Sequence, residues 1–141
     1  MTKEAKKEWL ARYRDVVREM LRLENEKREW QSIAEKVTPT YSATPLASGV
    51  SSRIETATEH IAEIESKLEK QICERAKLRI KIGAAIHSVE NARLRYLLER
   101  RYIDGQTWEQ IAVDMDITFQ WAHHLHRRAL ELIVVDTDNA I

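Results

Sequence analysis

Turn-forming residues are scarce: the 141-residue chain has three glycines and two prolines. A β-sandwich or barrel needs many more, so the shortage excludes those classes and points to an all-α protein. The single cysteine, Cys73, excludes an intrachain disulfide and any cysteine-based zinc cluster, and it suits a reducing compartment. An excess of charge of one sign is also missing, with 23 Lys and Arg against 23 Asp and Glu. The chain as a whole therefore has no field to draw it to nucleic acid or to a membrane, and any DNA contact must come from local arrangement. No apolar run approaches the roughly 20 residues that span a bilayer. The opening MTKEAKKEWLARYRDVV lacks the apolar centre of a signal peptide, so a cytoplasmic protein is expected.

What is present is charge and hydrophobicity in a helical rhythm, at 33% and 43% of residues. The length suits one small domain with an extended helical element. Trp9, Tyr13, Val16, Met20, Leu23, Trp30, Ala34 and Val37 recur at spacings of four and three, with Lys27 the one polar intrusion. That seam predicts a long helix over residues 2–36. Residues 38–52, TPTYSATPLASGVSS, hold both prolines and many hydroxyl side chains, and read as an irregular linker. Ser51 or Ser52 would cap a second long helix over residues 53–88. Its stripe runs Ile54, Ala57, Ile61, Ile64 and Leu68, then Ile72, Leu78, Ile82 and Ile86 with a shifted phase. The two helices are expected to pair as an antiparallel coiled-coil hairpin, with the Met and Trp residues as packing. The basic run Arg75, Lys77, Arg79 and Lys81 reads first as a solvated face, since residues two apart on a helix diverge, and second as a source of phosphate contacts.

Beyond Asn91 the pattern changes to short helices within a domain expected over residues 90–135, followed by a tail at 136–141. Leu94, Leu97, Leu98 and Tyr102 form one apolar face, and Gly105 stops that helix. Thr107 with Gln110 makes a capping box, after which Trp108, Ile111, Ala112 and Met115 give the inward face of a short helix. A tight turn at Asp116 and Ile117 leads to Thr118, which caps a third helix ending near Ile133. This spacing is that of a helix-turn-helix, whose second helix enters the major groove of DNA.

At about 100° per residue, Ala122, Leu125 and Ala129 gather on one side of that last helix and face the core. The other side is expected to present Gln120, His123, His124 and Arg127. Glutamine can bond adenine with both ends of its amide, histidine can donate to guanine or phosphate, and arginine can take either. Phe119 flanks the strip, where it could meet a thymine methyl, and Trp121 is read as packing. Between residues 90 and 133 there are six Lys or Arg against seven Asp or Glu, whereas an isolated DNA binder shows a basic footprint. Modest affinity is therefore expected, raised by dimerisation through the long helices or by docking on RNA polymerase. Histidines near their reference pKa of about 6.5 would tighten binding as pH falls.

The run LLERRYIDGQTWEQIAVDMDITFQWAHHLHRRALELI resembles region 4 of sigma-70-type RNA polymerase factors, the domain that reads the promoter −35 element. The shared frame is the Leu-Leu-Glu-x-Arg-Tyr helix, Thr107 and Glu109 opening the next, and Arg128-Ala129-Leu130 in the last. The whole chain further resembles small phage and prophage proteins with a sigma-region-4-like C-terminus, late transcriptional regulators of the ArpU type. The resemblance implies that Phe119, Gln120, His123 and His124 read bases, while Thr118, Arg127 and Arg128 meet the DNA backbone. It also implies double-stranded DNA and RNA polymerase as partners. Asp116 stands where that family has a turn glycine, and Phe, Gln and His replace the charged side chains usual at the reading slots, so no target sequence carries over.

Other chemistries find little support. His123 and His126 lie one turn apart, but no cysteine or fixed carboxylate completes a metal site. Asp114, Asp116 and Thr118 open like a calcium loop, yet Phe119 and Leu125 occupy the positions that need Gly and Glu. No phosphate loop or nucleophile elbow is present, so neither an enzyme nor a cofactor is expected. Two rivals remain: a phage DNA-packaging adaptor of small-terminase type, and a helical bundle used only for protein contact.

Overall fold

A computed structural model describes residues 1–37 and 47–136. Five α-helices follow in order: α1 (Lys3–Val37), α2 (Ala47–His87), α3 (Ala92–Leu98), α4 (Trp108–Asp114) and α5 (Phe119–Leu132), with a π-helical turn at Glu99–Ile103 continuing α3. No strand occurs among the described residues, and no helix is long and apolar enough to cross a membrane. The all-α expectation holds. The proline-containing centre of the expected linker, residues 38–46, and the tail at 137–141 lie outside the described residues.

The second long helix starts earlier than its sequence suggests. Residues 47–52 are already helical, so Ser51 and Ser52 lie inside α2 instead of capping it. Ser and Gly cost a helix only tenths of a kcal/mol to about 1 kcal/mol each, and extending an existing helix adds a hydrogen bond per residue. Of the residues expected on its second stripe, Leu78, Ile82 and Ile86 are buried, whereas Ile72 is 49% exposed.

The chain forms two compact units, one made of Met1–Val16 with Arg75–Ile141 and the other of Val17–Glu74. In the second, stretches of α1 and α2 run antiparallel around Met20, Leu23, Ala57 and Ile64. Lys27, the polar intrusion in the α1 seam, pairs with Glu65 at 3.2 Å, and Trp30 stacks on His60 with centroids 4.2 Å apart.

The first unit differs from the expected division into a hairpin and a separate domain over residues 90–135. Trp9 and Leu10 of α1 and Leu78, Ile82 and Ile86 of α2 share one core with Leu94, Leu97, Leu98, Ile111 and Leu130. Its short helices begin and end as their sequences dictate. Asn91 caps α3 by accepting from the amides of Arg93 and Leu94, and Thr107 with Gln110 completes the capping box of α4. Gly105 adopts a φ of 71° after the π-helical turn, against the guanidinium of Arg14. Tyr96 of α3 donates to the Asp114 carboxylate at the end of α4.

Candidate nucleic-acid interface

The turn between α4 and α5 spans Met115 to Thr118. Asp116 takes a φ of 53°, its amide reaches Val113 O, and the Ile117 amide reaches back to Ala112 O at 3.0 Å. This is the paired bonding of a helix closed by a left-handed residue, normally glycine. Aspartate tolerates that conformation better than most residues, so Asp116 serves here. Thr118 then caps α5 by accepting from the Trp121 amide at 3.1 Å. Ile117 is partly buried against the core, fixing the point from which α5 departs.

Along α5, Ala122, Leu125, His126, Ala129 and Leu130 are buried. Gln120, His124, Arg127 and Arg128 are exposed on the other side, with Thr118 exposed at the cap and Phe119 42% exposed on the flank. The aliphatic side thus turns inward as its spacing requires. Neither Gln120 nor Arg127 makes a side-chain hydrogen bond or ion pair among the described residues, which leaves their donors available to a partner.

His123 departs from the open strip expected for it. It lies roughly 100° round the helix from the centre of the buried side and is half-buried. Its ring sits 4.8 Å from that of Trp108 and meets the edge of Phe119 at 4.5 Å. Those contacts fix a flank; Gln120 and His124 form the centre. Trp121 departs in the opposite sense: read from the sequence as packing, it is 47% exposed and stacks on His124 at 4.8 Å. The pair makes a flat aromatic surface beside Gln120.

Among the described residues, His126 is the one buried polar residue, at 4% exposure. The Tyr102 hydroxyl lies 2.6 Å from its Nε2, and the Trp108 ring covers it at 4.5 Å. Burial, joined by the charges of Lys7 and Arg101 and by His123, pushes its pKa down to about 3; burial raises Tyr102 to about 12. His126 is therefore a neutral core residue. Among the described residues no group of three or more His, Cys, Asp or Glu is placed to hold a metal ion.

The amino-terminal turns of α1 lie along one flank of α5, a juxtaposition with no local signal in the sequence. Lys3 pairs with Glu131 at 2.7 Å. Lys6 donates to the carbonyls of Leu130 and Ile133, at 2.8 and 3.0 Å, capping the end of α5. Lys7 joins Lys3, Glu4, His123 and Arg127 around a depression of about 380 Å³. Charge follows the same division. The unit holding α5 carries 15 Lys or Arg against 12 Asp or Glu, and the other unit carries 8 against 11. The neutrality of the whole chain conceals a basic unit and an acidic one.

No family model, curated protein or solved structure matches the chain.

Proposed function

We propose that α4, its turn and α5 act as a helix-turn-helix that reads duplex DNA, with α5 in the major groove, and that the protein is a cytoplasmic, sequence-specific transcriptional regulator of phage or prophage type. One observation carries the reading. The aliphatic side of α5 is buried, leaving an exposed strip whose Gln120 and Arg127 make no side-chain hydrogen bond or ion pair among the described residues. Such a helix offers hydrogen-bond donors at a spacing suited to base edges.

In this reading Gln120 and His124 address bases, with Phe119 and His123 on one side of them. Thr118, Arg127 and Arg128 meet phosphates. The sigma-region-4 resemblance adds RNA polymerase as a partner. Dimerisation through the long helices would use their outer faces, because Trp9, Leu10, Met20 and Leu23 are buried within the chain itself.

Selection of bound sequences from random duplex DNA tests the reading directly. The wild type should enrich a motif, alone or with polymerase, and Gln120→Ala and His124→Ala should each lose or relax positions in it. Each bidentate base contact contributes about 1–3 kcal/mol of discrimination. Absence of enrichment under both conditions would remove the base-reading role, and a ring-shaped oligomer binding DNA without sequence preference would favour the packaging adaptor.

A further inference from the structure

We propose that the amino-terminal turns of α1 form part of the DNA interface, with Lys3 and Lys7 contacting the phosphate backbone beside α5. The inference rests on the reading of α5 as the helix in the groove, and supplies the positive charge which residues 90–133, at six basic against seven acidic side chains, do not.

A helix in the major groove lies in a channel about 12 Å wide, walled on each side by a phosphate backbone. Side chains at the centre of its exposed face reach base edges, and those roughly a quarter-turn to either side reach the walls. On α5 the centre is Gln120 and His124, and Arg127 leads from it toward the flank of His123. Lys3 and Lys7 stand on that flank, around the same depression as His123 and Arg127. A backbone strand passing there would meet three cations on two helices.

Two carboxylates oppose them. Glu4 is 3.7 Å from the Lys7 ammonium, and Glu131 is 2.7 Å from that of Lys3. Both pairs are solvent-exposed, with the lysine side chains at 45% and 47% exposure. Exposed pairs of this kind contribute little and exchange readily. A phosphate can displace either carboxylate, whereas Lys6, committed to the carbonyls at the end of α5, is not counted among the contacts.

Salt dependence of DNA binding by the full-length protein is the test. Each phosphate neutralised contributes about 0.9 to the slope of log affinity against log salt. Lys3→Gln with Lys7→Gln should lower that slope by about 1.8 on a random-sequence duplex, so that between 50 and 200 mM salt the variant loses roughly twelvefold less affinity than the wild type. The motif recovered by selection should stay the same. Glu4→Gln should move affinity the other way, a tightening that partial unfolding cannot imitate. A wild type that binds a motif while the lysine variant keeps the full slope overturns this inference and leaves the reading of α5 standing. A wild type that binds no DNA overturns both.

Discussion

The Tyr102 hydroxyl and His126 Nε2 meet 2.6 Å apart, with both residues almost wholly removed from solvent. The hydroxyl donates when the imidazole carries its proton on Nδ1, and each group satisfies a polar atom that would otherwise be stranded in the core. A histidine held at a pKa of about 3 against roughly 6.5 when unfolded binds a proton only after unfolding across that window. Its contribution is complete above pH 6.5 and is lost as pH falls toward 3. Stability should drop by about 1.4 kcal/mol per pH unit from this residue. Urea unfolding of the wild type and His126→Leu between pH 7 and pH 4.5 checks it: the variant is weaker at pH 7 but should lose less with acid. Parallel pH profiles would show that the ring is not held neutral.

Gly105 has two reasons to be glycine. Its φ of 71° costs a side-chain-bearing residue about 1–2 kcal/mol, and a Cβ there would run into the Arg14 guanidinium, which also reaches the Ile103 carbonyl at 3.5 Å. Gly105→Ala should therefore cost at least about 1 kcal/mol. In an Arg14→Ala background the same change should cost less, because only the backbone term remains. Equal costs in the two backgrounds, measured as a double-mutant cycle, would mean that the steric conflict contributes nothing.

How much of this was legible in the sequence depends on how far apart the interacting residues lie. Caps and turns are local, so Thr107 with Gln110, Thr118 and Gly105 all behave as their neighbours dictate. The inward side of α5 was legible too, because Ala122, Leu125 and Ala129 repeat at the helical period. What eluded it lies far apart along the chain. Lys3 meets Glu131 across 128 positions, and Arg14 meets Ile103 across 89. His126 looked like any polar helix residue until Tyr102 supplied a buried partner. Trp121 reads as packing because it lies nearer the buried side of α5, yet it is 47% exposed and its ring stacks on His124.

The exposed indole of Trp121 makes a distinction that stability and binding measurements can draw. A Trp packed in a core loses about 3–5 kcal/mol on truncation to Ala, whereas a side chain 47% exposed with one stacking neighbour, His124, should lose under about 1 kcal/mol. Under the proposed function, Trp121→Ala should weaken DNA binding by more than it weakens folding, because it removes a flat surface beside Gln120. A variant that melts far earlier and binds normally once folded would return Trp121 to a packing role.

The dependence of the C-terminal helices on α1 makes the most demanding prediction. Residues 90–135 contain all the candidate base-reading side chains, yet Trp9 and Leu10, at 5% and 0% exposure, belong to the core that holds them. Lys6 closes the end of α5 through two carbonyls. Truncating Trp9 to Ala should cost about 3–5 kcal/mol and Leu10 to Ala about 2–5 kcal/mol, against a total stability of about 5–15 kcal/mol for a domain. A peptide of residues 90–135 loses both anchors, the α2 side chains beneath them and the cap at once. It should show no cooperative urea transition at 25 °C, while the full chain unfolds sharply. A well-defined transition in the peptide would mean that α1 is ancillary to a self-sufficient domain. Weak DNA binding by the peptide despite retained helicity would instead locate the missing charge in α1, since the groove-facing side chains are all still present.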